Sequence, residues 1–129
     1  MMRRRVETFL IIGLGAVLGA NLRYLVTVWA VEQFGVGFPW GTLVINVAGS
    51  FLLAVFLAWG ANHTTLDPRV RLLVATGFFG AYTTFSTYAN DSIAMIGMGN
   101  WLGAVGNIVG TNLVCLIGVV AGLAIGSQL

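Results

Sequence analysis

Four long apolar stretches separated by short polar connections take up almost the whole chain. They fall at 6–31, 40–61, 70–96 and 101–125, and each reaches the roughly 20 residues an α-helix needs to cross a bilayer. Runs such as FLLAVFLAW and LVCLIGVVAGLAI do not alternate, whereas a membrane β-barrel requires alternation over segments of about ten residues. The start, MMRRRVETFLIIGLGAVLG, has the basic and apolar parts of a signal peptide. A signal peptide is removed to leave a soluble domain, yet three more apolar stretches follow. The pattern therefore predicts an all-α membrane protein, one domain over residues 1–129 with four transmembrane helices.

The connections EQFGVGFP, NHTTLDP and GMGN are short, so successive spans should run antiparallel and both termini should lie on one side. Pro39 and Pro68 stand where a helix accepts proline, at or before its first turn.

Composition sharpens this picture. Of 129 residues, 58% are hydrophobic and only 8% charged, with a mean hydropathy of +0.94, which leaves little room for a soluble domain. The net charge of +2 is not a nucleic-acid signal, because Arg3, Arg4, Arg5, Arg69 and Arg71 all flank spans on the side of the termini. The opposite connections carry no Lys or Arg, and the positive-inside rule then places the termini in the cytoplasm. Cys115, the only cysteine, cannot form an intrachain disulfide and reads as a small buried hydrophobe.

Small residues recur four apart: Gly15 and Gly19, Gly106 and Gly110, Gly118 and Gly122, Gly122 and Gly126. Such stripes let helix backbones approach closely in lipid, although glycine is also simply frequent in membrane helices.

The informative residues are the polar ones. Arg23 lies deep in the first span, where it snorkels to the interface, joins a hydrogen-bond network inside the bundle, or attracts an anion. Asn46 shares a helix face with Thr42 and Ser50. Its amide can tie helices together or offer N–H groups to an anion without carrying charge, and in the second case an apolar replacement should greatly reduce anion flux with little loss of assembly. The fourth span supplies Asn107 and Thr111 on one face, and Asn112 beside them. Asp91, with Asn90 and Ser92, reads as a polar rim, and His63 is too isolated to suggest a metal site.

In the third span, Thr83, Thr84, Ser86, Thr87 and Tyr88 follow Gly77 and Gly80, a poor recipe for a uniform helix. The hydroxyls can bond back to their own helix. A break near Gly80 to Thr83 would instead free carbonyls in mid-bilayer, tolerable only where they are buried in protein, line a cavity or hold a cation. Phe85 and Tyr88, three apart, share a face. They can be ordinary packing, or they can turn their electropositive ring edges toward a small anion. The sequence contains no spaced Ser, His and Asp set and no phosphate-binding glycine loop, so no enzyme is expected.

GLGAVLGANLRY (13–24), GTLVINVAGSFLLA (41–54) and GFFGAYTTFSTYAND (77–91) together resemble the signature segments of the CrcB/Fluc family of small bacterial fluoride channels, in order and along the whole chain. The resemblance implies a passive fluoride channel that lowers cytoplasmic fluoride, built from two copies in opposite orientations in the bacterial inner membrane. It also implies a third helix broken near its middle and a structural Na⁺ at the dimer centre, held by backbone carbonyls matching Gly80 and Thr83. The fluoride pathway maps onto Asn46, Phe85, Tyr88, Asn107 and Thr111, and the arginine of the first segment onto Arg23.

Three positions depart from the family pattern: Tyr88 replaces the second phenylalanine, Ala81 a glycine beside the break, and Asn107 a tyrosine. Five arginines on one side also fit a single orientation better than two, which keeps a separately encoded partner of opposite orientation open. The alternatives outside the family are a small multidrug-type proton-coupled transporter and a non-transporting membrane assembly protein. The first usually needs a membrane-embedded carboxylate in its first helix, and Glu7 lies at the wrong depth for that role.

Overall fold

The computed structural model describes residues 2–63 and 66–129 and is all-α among them. Thr64 and Thr65, in the second connection, lie outside the described residues. Helix α1 (Met2–Phe34) is followed by α2 (Trp40–Asn62). The third span then comes in two pieces. Its first piece, α3 (68–82), is an α-helical turn Pro68–Arg71, a π-helical stretch Leu72–Phe79 and a closing turn Gly80–Tyr82. Its second piece is α4 (Phe85–Gly97), and α5 (Trp101–Gly126) completes the chain. Among the described residues three helices, α1, α2 and α5, are each continuous, long and apolar enough to cross a membrane. With leucines 10, 14, 25 and 116 exposed on their outer faces, the chain is a multi-pass membrane protein.

Local chemistry sets the boundaries. Gly35 and Gly99 take positive φ, 74° and 78°, at the turns that end α1 and α4, a conformation glycine adopts without steric cost. Asp67 caps α3 by accepting the Arg69 N–H at 2.8 Å, with Pro68 in the first turn, and Asn100 caps α5 through Gly103 at 2.9 Å. At its 33 residues and 1.5 Å per residue, α1 is about 50 Å long and exceeds the roughly 30 Å hydrocarbon core. Its first turns therefore reach beyond the hydrocarbon, where Glu7 pairs with Arg69 at 2.8 Å.

The core lies where α1, α2 and α3 meet, around Ile45, Phe79 and Tyr82, with Phe78 stacked on Tyr82 at 5.9 Å between centroids. Gly15 and Gly19 of α1 sit directly on the α3 backbone: a Cβ at Gly15 would lie 2.8 Å from the Phe78 nitrogen. Gly122 and Gly126 of α5 sit on α2 in the same way, against the Phe51 and Val55 carbonyls. Gly118 also faces α2, with Phe51 Cβ 3.6 Å from an added Cβ, so three of the four glycine pairs meet packing within the chain, while Gly106 and Gly110 meet nothing within 4 Å. The π-helical stretch had no counterpart in the sequence reading. It coincides with the segment on which Gly15 and Gly19 rest.

Candidate functional site

The third span is interrupted at Thr83 and Thr84, which are extended (φ −78°, ψ 157° and φ −151°, ψ 114°). Gly80 is still helical, so the interruption starts about one turn later than the start of the expected 80–83 window. The hydroxyl cluster is what makes the interruption self-sufficient. Thr83 Oγ1 donates back to the Phe79 carbonyl at 2.9 Å. Thr84 Oγ1 accepts the Thr87 N–H at 3.2 Å, the standard cap of a new helix, and donates to Thr87 Oγ1 at 3.0 Å.

Asn46 closes the remaining gap. Its Nδ2 donates to the Thr84 carbonyl at 2.9 Å and its Oδ1 accepts the Thr84 N–H at 2.8 Å, so α2 pairs with the extended residue as a neighbouring strand would. One amide hydrogen is left over. The Thr84 N–H would, in an unbroken helix, bond the Gly80 carbonyl, and the Thr87 N–H would bond that of Thr83. Both donors are directed elsewhere, so these two carbonyls lose their helical partners. Uncharged oxygens of this kind suit a hard monovalent cation, whereas no cluster of three or more His, Cys, Asp or Glu side chains stands ready for a metal among the described residues.

A cavity of about 240 Å³ opens beside the break. Asn46, Thr83, Phe85, Tyr88 and Thr111 line it, together with Asn112. Four of the five pathway positions expected from the sequence therefore meet in one place. The fifth, Asn107, is fully buried between α4 and α5, where it donates to Ser92 Oγ at 2.9 Å and accepts from Thr111 at 3.0 Å. Ser92 in turn donates to the Tyr88 carbonyl at 2.8 Å. Asn107 thus stands behind the cavity wall and fixes Thr111 and α4 in place. Phe85 and Tyr88 are adjacent, 5.4 Å between centroids and tilted by 51°, but they differ in surroundings: Tyr88 is 8% exposed and Phe85 77%.

Arg23 lies elsewhere. Its half-buried side chain lines a second groove of about 320 Å³ with Thr27, Thr42, Thr84 and Thr87. Thr84 borders both cavities, and the polar face of α2 is divided between them. Asn46 and Ser50 face the first, whereas Thr42 turns to the second and donates to the Asp91 carboxylate at 2.8 Å. Two contributors were not singled out from the sequence. Thr84 was only one of several hydroxyls, and its extended backbone distinguishes it. Asn112 was noted beside Thr111 without a role, and its contact with Tyr88 joins residues 24 apart.

The family described as CrcB-like protein, Camphor Resistance (CrcB), matches residues 10–123. Proteins named "Fluoride-specific ion channel FluC" are similar along nearly their whole length. One from Koribacter versatilis is 43% identical over 88% of this chain and 90% of its own. One from Chloroflexus aurantiacus is 40% identical over 94% and 96%, and one from Sorangium cellulosum 38% identical over 96% and 98%. With matches spanning all five helices, the interruption and the cavity, the chain belongs to the CrcB family.

Proposed function

We propose that this chain conducts fluoride passively through the bacterial inner membrane and so lowers cytoplasmic fluoride. The observation that carries the reading is membership of a family whose relatives bear that function in their names, joined to a cavity in which Asn46, Phe85, Tyr88 and Thr111 converge on a broken span. Fluoride is small and strongly hydrated, so a narrow path must supply donors in place of water. Neutral donors and ring edges bind moderately, which lets the ion leave again. Asn46 offers its spare N–H. Asn107 acts from behind, by holding Thr111.

The pathway is completed, in this reading, by a second copy in the opposite orientation. It is supported by Phe85, which borders the polar cavity and is 77% exposed, and by Gly106 and Gly110, a small-residue stripe that meets nothing within 4 Å in this chain and is the kind of face on which helices associate in lipid. A Na⁺ at the centre of the pair would be held by the Gly80 and Thr83 carbonyls, and it would supply positive charge to an interior with no charged side chain at the cavity. Arg23 would draw anions toward the second groove.

A proton-coupled drug transporter gains no support from the geometry. Glu7 is a half-exposed partner of Arg69, and Asp91 accepts a hydrogen bond from Thr42. The test is fluoride release from liposomes containing the purified chain alone, followed with a fluoride electrode in the absence of ATP and of a proton gradient. Release down the fluoride gradient is expected, and sealed vesicles that retain their fluoride would refute the proposal.

A further inference from the structure

The donors lining the cavity are unequally engaged. Thr83, Thr84 and Thr111 direct their hydroxyl protons to Phe79, Thr87 and Asn107 at 2.9, 3.0 and 3.0 Å. Asn112 uses its Nδ2 twice, donating to the Ile108 carbonyl at 2.6 Å and to the Tyr88 hydroxyl oxygen at 2.7 Å. The carbonyl contact fixes the orientation of this amide, because only its nitrogen can lie that close to a carbonyl oxygen.

Asn46 keeps one amide hydrogen free, and Tyr88 is the hydroxyl among these side chains whose proton is poorly placed. Its oxygen accepts a short bond from Asn112, but its own proton has only the Ile108 carbonyl, at 3.4 Å. That is well beyond the 2.7–2.8 Å usual for O–H···O. The same carbonyl already accepts the Asn112 side chain and, one turn along α5, the Asn112 backbone N–H expected of a helix. A side chain more than nine-tenths buried, in a cavity wall, therefore holds a proton without a good acceptor. Accepting from Asn112 also strengthens the phenol as a donor, since linked hydrogen bonds polarise one another.

We propose that the Tyr88 hydroxyl, held through its oxygen by Asn112, donates a hydrogen bond to fluoride in this cavity. The inference rests on reading the chain as a fluoride channel and assigns a specific donor within it. Tyr88 touches the ion, and Asn112 is a positioning residue that acts through it. A neutral donor suits conduction, because it offsets part of the lost hydration without trapping the ion.

Two measurements on the full chain test the assignment. In liposomes, Tyr88→Phe is expected to raise the fluoride concentration for half-maximal flux about tenfold, the low end for a hydrogen bond to a charged group. Asn112→Leu should shift it in the same direction, and should add nothing on a Tyr88→Phe background. In detergent, sodium fluoride should shift the near-ultraviolet tyrosine band of the parent chain, and Tyr88→Phe should remove that shift although Tyr24 and Tyr82 remain. Half-saturation unchanged in Tyr88→Phe, or an Asn112→Leu effect equal in both backgrounds, would overturn the assignment. Tyr88→Phe removes one oxygen atom and no packing, so it decides the matter by itself where the Asn112 variant fails to assemble. A parent chain with no flux but a Tyr88-dependent spectral shift would refute the channel and leave the donor standing. Flux without any dependence on Tyr88 would do the reverse.

Discussion

Asn46 illustrates how one side chain can serve structure and transport together. Its amide holds the Thr84 N–H and C=O, two groups that no helix satisfies at the break. An unpaired buried polar group costs about 1–3 kcal/mol, so Asn46→Leu should lose stability as well as flux. The sequence alone points to reduced flux with little loss of assembly, and these two hydrogen bonds add an expected loss of stability. Thermal unfolding of the detergent-solubilised variant checks the point: a clear fall in melting temperature is expected, and an unchanged one would mean that the break is held by something other than Asn46. Asn46→Asp separates the two roles further. Its carboxylate can still accept from Thr84 but cannot donate to it, and it adds negative charge to an anion path, so flux should fall more than stability does.

Among the elements, the glycine positions divide by what they touch. A Cβ at Gly15 or Gly19 would press on α3 backbone that cannot move aside, whereas Gly106 faces open space. Overpacking of this kind typically costs 1–3 kcal/mol. Gly15→Ala should therefore lower the melting temperature, and Gly106→Ala should leave the fold of a single copy untouched. If Gly106→Ala instead shifts the protein from dimer to monomer on size exclusion, the open face is covered by a second copy. The spans around these glycines were legible because length and continuous apolarity suffice to mark a helix in lipid. The interruption was legible to within a turn because hydroxyl residues crowd it. The π-helical stretch Leu72–Phe79 left no trace, since its sequence LLVATGFF suits an ordinary helix equally well.

For the whole molecule, charge and architecture pull apart. The five arginines at one end favour a single orientation under the positive-inside rule, while the proposed pore needs two. A single cysteine placed at the N-terminus of a Cys115→Ala chain should react with a membrane-impermeant reagent from both sides of the membrane. Labelling from one side only would call for a separate partner of opposite orientation. The Na⁺ reading has its own check: replacing Na⁺ by a large organic cation throughout preparation should lower fluoride flux or dimer stability. A flux and a dimer both indifferent to Na⁺ would remove Gly80 and Thr83 from that role.

From the residue order one could already read a helical multi-pass membrane protein with a defect in its third span, and a set of polar side chains too costly to leave in lipid. These follow from local energetics, because transferring a residue into hydrocarbon depends mainly on that residue and its near neighbours. Which polar groups share a cavity depends on how α2, α4 and α5 are superposed in space. That arrangement put Asn46 across from Thr84, turned Asn107 away from the cavity, and paired Tyr88 with Asn112. Hydrogen bonds between residues 15, 24 and 38 apart carry no periodic signature, so only the packed helices could reveal which donors are satisfied and which are not.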